Sequence, residues 1–257
     1  SKFKEEFLAY AQTNYSKATI DIFLVGLRNL QQISGDCLLT SINPHHVDKY
    51  KAERLKLVRP VSVNVEIRGL RAVFNVALRW RLIESNPFCG MQLIRVNDVP
   101  PVYFSKEDFQ KLISVIKENW LKDIVIFAVI TGMRRGEILN LRWQDVDLQR
   151  RVIHIQSNPT FKTKQGKRRS IPLSDVAYQI LITRFGRSTC EYVFSLNNRN
   201  ILGNFMTKKF KDYVLLVGLD EKLHFHSLRH TFASWLVQDG VSLYEVQKLL
   251  GHSNISV

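Results

Sequence analysis

Val96-Asn97-Asp98-Val99-Pro100-Pro101 divides this sequence. Two consecutive prolines cannot lie inside a helix, and each disfavours helix in the residue before it. Upstream of them no strand alternation occurs. Downstream, helix, strand and helix signals follow in turn. The sequence therefore predicts two domains, 1–97 and 98–257. The first is helical, and the second is mainly α with a small β-hairpin, an α+β arrangement.

In the first region Ile20, Phe23, Leu24, Leu27 and Leu30 recur at three- and four-residue spacing behind Ser16, a candidate cap. Asn43-Pro44 reads as a helix start, with proline in the first turn. Leu70, Val73, Phe74, Ala77 and Leu78 form another apolar stripe, with Arg68, Arg71, Asn75 and Arg79 opposite it. Such a basic stripe either tracks phosphates or is a solvated helix face.

The second region opens on Ser105-Lys106-Glu107-Asp108, a capping-box pattern that predicts a helix to about Glu118. A helix over about 121–130 is apolar nearly all round and so must be buried. Val152 to Gln156 and Arg169 to Leu173 read as two short strands, with Pro172 marking an edge. A polar, basic loop, Ser157 to Arg168, joins them. Helices over about 227–238 and 243–250 close the chain. Gly240 suits the stop of the first, and Ser242 with Glu245 the start of the second.

The 257 residues carry 37 Lys+Arg against 23 Asp+Glu, a net charge of +14. The excess is +5 in residues 1–100 and +9 in 101–257, so no single basic tail accounts for it. A polyanion, nucleic acid foremost, is the expected partner. Hydrophobic residues at 45% exclude wholesale disorder. The longest apolar run, Ile124 to Ile130, is far too short to span a bilayer. Three scattered cysteines, Cys37, Cys89 and Cys190, form neither a disulfide framework nor a zinc signature, which fits a reducing cytoplasm.

Four segments gather arginine, lysine and histidine. In Thr131-Gly132-Met133-Arg134-Arg135-Gly136-Glu137, Arg134 follows a buried helix on a supported turn. Its fork matches two phosphate oxygens, or else it pairs with Glu137. Lys162, Lys164, Lys167 and Arg168 lie in the hairpin loop, which reaches a backbone or is a solvated tip. In His226-Ser227-Leu228-Arg229-His230, His226 and Arg229 share a face at a helix start, where free N–H groups favour an anion. A zinc site from His224, His226 and His230 lacks a Cys or acid at the usual spacing. In Leu249-Leu250-Gly251-His252, glycine ends the helix and leaves His252 at its mouth. Arginines, histidines and a lysine without a carboxylate cluster do not make a magnesium site. They describe a metal-free phosphate clamp.

Thr-Gly-Met-Arg-Arg-Gly-Glu at 131–137, His-Ser-Leu-Arg-His-Thr-Phe at 226–232 and Leu-Gly-His-Ser at 250–253, with a basic hairpin between the first two, resemble the tyrosine recombinase (phage integrase) family in order and spacing. The resemblance implies a helical core-binding domain followed by a catalytic domain that cleaves and rejoins DNA strands through a 3′-phosphotyrosyl link. No metal or nucleotide cofactor is required. It implies that Arg134 and Arg229 hold the scissile phosphate and that Lys164 protonates the leaving oxygen. His226 would transfer protons and His252 would donate to the phosphate. Arg68, Arg71, Arg79, Lys162, Lys167 and Arg168 would meet double-stranded DNA. Glu137 would orient its neighbours. The family's tyrosine follows its last histidine, yet His252 stands five residues from Val257. The chain is therefore expected to be a truncated form that binds DNA without cleaving it, monomeric off DNA, where the full protein forms a homotetramer on DNA. The competing expectations are a non-catalytic DNA-binding protein derived from a recombinase and a type IB topoisomerase.

Overall fold

The computed structural model describes residues 2–97, 100–157, 161, 168–187 and 189–251. It is mostly helical with small antiparallel sheets, and it divides into two compact units, Ser1–Val99 and Pro100–Val257.

The first unit holds α1 (Lys2–Asn14), α2 (Lys17–Ser34), α3 (Pro44–Leu55) and α4 (Pro60–Arg79). The Ser16 hydroxyl accepts the Thr19 N–H at the start of α2. Asn43 and His46 form a reciprocal capping box ahead of α3, with Pro44 in its first turn. Both ends are satisfied locally, which is why the sequence marks them. Phe23 and Leu30 of α2 meet Leu70, Val73, Phe74 and Ala77 of α4 in one aromatic-rich core with Phe7, Tyr50 and Phe88. Leu78, included in the expected stripe, is exposed instead.

Helix α4 also buries Glu66, which accepts both nitrogens of the Arg54 fork at 2.7 and 2.8 Å and the Tyr50 hydroxyl at 2.5 Å. A buried carboxylate persists only with such partners. Arg71 departs from the basic stripe. Its Nε donates to Phe88 O and its Nη2 to Met91 O, both at 2.8 Å, so it fastens the chain after α4 onto the helix. Arg68 and Arg79 stay exposed, with Arg79 seated 4.9 Å from the Tyr10 ring centroid.

The second unit begins with α5 (Lys106–Val115), α6 (Asn119–Thr131) and α7 (Arg135–Leu139). Ser105 caps α5 by accepting the Asp108 N–H, but the helix stops at Val115, three residues short of expectation, and Glu118 caps α6 instead. Seven of the thirteen residues of α6 are buried, and it packs against both α8 (Asp175–Phe185) and α10 (Ser227–Gln238). Strands β1 (Val146–Asp147), β2 (Val152–Ile155) and β3 (Arg169–Pro172) form an antiparallel sheet in that order, with Ile153 opposite Ile171. β3 is an edge, where Pro172 leaves no ladder partner without a donor. The two-residue strands β4 (Ser195–Leu196) and β5 (Arg199–Asn200) lead into α9 (Gly203–Leu216), and α11 (Leu243–Leu250) follows α10.

Helix α10 is the anchor of this unit. Thr231 Oγ1 accepts the Phe104 N–H at 3.0 Å and donates to Ser227 O, and the Trp235 indole donates to Phe104 O at 3.1 Å. The backbone ahead of α5 is thus tied to the helix that carries His226 and Arg229. Gly240, at φ 87°, turns the chain after α10, and Ser242 and Glu245 close the capping box on α11.

Candidate active site

Gly132 ends α6 in the left-handed region at φ 61°, ψ 15°. A side chain there would overlap the Phe232 ring, with a Cβ only 2.4 Å from Cδ1. Both facts require glycine. The turn carries Arg134 out of the helix in extended conformation, immediately before α7. Its backbone N–H donates to Glu137 Oε2 at 2.8 Å, and its Nη1 lies 3.1 Å from Glu137 Oε1. About a quarter of the side chain stays exposed, the relative accessibility being 24%.

Arg229 is buried, at 5% exposure. Its Nη1 donates to Gly132 O at 2.5 Å and its Nη2 to Leu250 O at 2.6 Å. One guanidinium therefore joins the end of α6 to the end of α11, two places separated by more than a hundred residues. Burial, then repulsion from Arg134 and Arg169, lowers its pKa to about 10, so it stays charged at neutral pH.

His226 stands one turn before Arg229, in the N-terminal position of α10. It is exposed at the cleft, yet partial desolvation, followed by repulsion from His230, Arg229, His224 and Arg134, pushes it down to about 4. The imidazole is neutral at pH 7 and free to take or give a proton. The His230 ring lies 5.0 Å away, edge to face, and is also held below its ordinary value by burial and by His224 and Arg229. Among the described residues no group of His, Cys, Asp or Glu is arranged to hold a metal ion.

Glu137 is almost wholly buried, at 3%. Burial alone would raise its pKa, but Arg169 and Arg134 hold it below the usual carboxylate range. Arg169 grips it with both terminal nitrogens, Nη1 to Oε1 at 2.9 Å and Nη2 to Oε2 at 2.6 Å. Sequence reasoning counted Arg169 as the last residue of the basic run and the first of its strand, and gave it no acidic partner. A signal was present: two-residue alternation puts it on the same face of β3 as buried Ile171, and a cation on that face must meet an acid.

Arg134, His226 and Arg229 line one open cleft of about 470 Å³, with His224, Arg135 and Thr207 at its sides. Arg135 donates to the Thr207 hydroxyl at 2.9 Å while Arg134 is bonded to Glu137, which distinguishes the two adjacent arginines of the cleft wall. Lys162, Lys164, Lys167 and His252 lie outside the described residues. The hairpin loop is nevertheless placed at both ends: Phe161 covers Gly136 of α7, and exposed Arg168 precedes Arg169. Three cations around one committed carboxylate leave the cleft positively charged, a receptor for an anion with a neutral base at its rim.

The phage integrase family model matches residues 103–257, more than half of the chain. The chain belongs to this family, the tyrosine recombinases. It is 28% identical over 233 residues to a tyrosine recombinase of Pseudothermotoga lettingae, covering 87% of this chain and 79% of that protein. Its fold matches a lambda integrase(75-356) dimer bound to a COC′ core site, with TM-score 0.83 at 16% identity over 99% of this chain and 94% of that one. It also matches a lambda integrase tetramer bound to a Holliday junction, with TM-score 0.82 at 17% identity over 99% and 77%. Among the described residues no helix is long and apolar enough to cross a membrane.

Proposed function

We propose that the protein is a site-specific DNA recombinase that cuts and rejoins strands through a 3′-phosphotyrosyl intermediate. The observation that carries this reading is the convergence of Arg134, Arg229 and neutral His226 on one cationic cleft. A phosphodiester under attack gathers charge on its non-bridging oxygens. Guanidinia fixed beforehand around those oxygens stabilise that charge more than the ground state. In this scheme Arg134 and Arg229 hold the phosphate, and His226 transfers the proton of the attacking hydroxyl. Lys164 protonates the leaving 5′ oxygen, and His252 donates to the phosphate. Arg68, Arg79, Lys162, Lys167 and Arg168 meet the DNA backbone, and Arg71 contributes by shaping the surface it fastens.

The tyrosines support a nucleophile supplied from outside these 257 residues. Tyr50 is bound to Glu66, Tyr213 donates to Glu118, Tyr178 and Tyr192 stack under Arg151 and Arg142, and Tyr10 and Tyr15 lie in the first unit. Tyr103 meets Gln238, and Tyr244 is exposed on α11, ahead of His252 in sequence. On this reading residues 1–257 bind duplex DNA without cutting it and are monomeric off DNA, and the full protein acts on DNA as a tetramer.

The decisive experiment is trapping on a nicked suicide duplex with the protein carried to the natural end of its reading frame. A covalent adduct through a tyrosine supports the recombinase. Binding without any adduct would establish a non-catalytic DNA-binding protein instead. Residues 1–257 should bind with no adduct, and with roughly five phosphate contacts their affinity should fall about 10²–10³-fold between about 50 and 200 mM salt. A flat salt dependence would contradict the cationic cleft.

His226 gives a pH signature. A phosphate beside the imidazole favours its charged form, so its pKa rises from about 4 toward the ordinary value on binding. Between those values binding takes up a proton, and affinity increases as pH falls from about 7 to about 5. His226→Gln should flatten that increase. Calorimetry in buffers of different ionisation enthalpy reads the proton uptake directly, and equal uptake in the variant would remove His226 from the phosphate.

A further inference from the structure

We propose that Arg169 is a positioning residue of this site: by occupying both oxygens of Glu137 it keeps the Arg134 guanidinium turned toward the cleft, and its stem seats the end of α11 against the same cluster. The inference rests on the recombinase reading above and adds a residue whose effect runs through another side chain.

Glu137 faces two guanidinia. Arg169 takes both oxygens in a fork, whereas Arg134 receives a single side-chain bond of 3.1 Å to Oε1. Planar bidentate pairing is the favoured geometry between arginine and a carboxylate. Without Arg169, a buried and ionised Glu137 keeps its bond to Arg134, while Arg229 gives both terminal nitrogens to the Gly132 and Leu250 carbonyls. Arg134 would then swing its own fork onto the carboxylate and withdraw donors from the cleft it lines. Arg169 therefore acts by competition.

The rest of the side chain has a second contact. A Cβ on Gly251 would stand 2.8 Å from Arg169 Cδ, and Gly251 is itself left-handed at φ 69°. The α11 terminus thus lies directly on the arginine stem. Leu250, one residue earlier, hands its carbonyl to Arg229. Two arginines accordingly hold the end of α11, and one of them also sets Arg134.

The test uses the full natural protein and single-turnover trapping on a nicked duplex. Arg169→Met should slow trapping by at least about tenfold while the duplex Kd changes less than about threefold. A purely structural role would move neither of two further readouts. First, the rate of Arg169→Met relative to the native protein should climb as pH falls from about 8 to about 5.5, because protonating Glu137 releases Arg134. Second, in a Glu137→Gln background, Arg169→Met should add less than about threefold, because no competition remains. Arg169→Lys, a point charge without a fork, should fall between, and it carries the same two readouts should the methionine variant not fold. A flat rate ratio across pH, or additive losses in the Glu137→Gln background, overturns the inference. Absence of any adduct with the native protein would instead sink the recombinase reading and is read separately.

Discussion

Arg229→Ala is expected to lower single-turnover strand cleavage by the full protein about a thousandfold or more while the protein still binds duplex DNA. Removing one preset donor from a developing oxyanion costs about 10²–10³ in rate, and Arg229 contributes a charged fork. It also organises the site. Its two donated bonds, to Gly132 O and Leu250 O, fix the turn that presents Arg134 and the helix end that leads to His252. Deleting it leaves two carbonyls without their donor, at about 1–3 kcal/mol each. A measurable drop in Tm should accompany the lost activity. Arg229→Lys keeps the charge and reaches one carbonyl, so its rate should recover only in part. On the proposed reading most phosphate contacts lie elsewhere, so duplex affinity should change little. Trapping kinetics and Kd on one duplex check this, and parallel loss of both would deny Arg229 a role in the chemical step.

Gly132→Ala is expected to destabilise the second unit by roughly 2–5 kcal/mol. A non-glycine residue in the left-handed region costs roughly 1–2 kcal/mol, and forcing a methyl into a packed ring adds roughly 1–3. The Phe232 ring cannot retreat freely, since it packs with Val246 and Leu250 beneath α11. The Tm of the unit should fall by about 5–15 °C. Gly132 O is also the acceptor for Arg229 Nη1, so a shifted turn should carry a loss of cleavage beyond the loss of stability. Calorimetry of residues 100–257 reads the first effect, and a fall of less than about 1 kcal/mol would contradict the left-handed, closely packed turn.

Much of the fold was legible because its signals are local. Ser16, Asn43 and Ser242 each cap a helix whose own first turn supplies the partner, so three or four residues of sequence contain the whole interaction. The edge position of β3 follows from one proline. The spacing of His226 and Arg229 places both on one face of α10. Residue type did not mark the end of α5: Lys117 and Glu118 are good helix formers, yet the buried Ile116 is extended at φ −67°, ψ 115° and Glu118 becomes the N-cap of α6.

Arg71 shows the opposite case. Helical spacing put it in a basic stripe with Arg68 and Arg79, and those two remain exposed on the helix surface. Which arginines face water depended on where residues 88–91 return over α4, and no periodicity encodes that path. Arg169 and Glu137 are thirty-two residues apart and pair for the same reason.

By itself, the sequence pointed to a division within residues 96–101, to the helical and hairpin elements, to the family and to Arg134, His226 and Arg229 as neighbours in one site. These rest on backbone chemistry and short spacing, which act wherever the chain goes. Only the tertiary structure decided which buried carboxylate takes which guanidinium, that Arg134 pairs with Glu137 while Arg135 reaches Thr207, and that Arg229 bridges two helix ends. Those outcomes are set by desolvation: a charge brought inside must find its partner among whatever the fold places beside it.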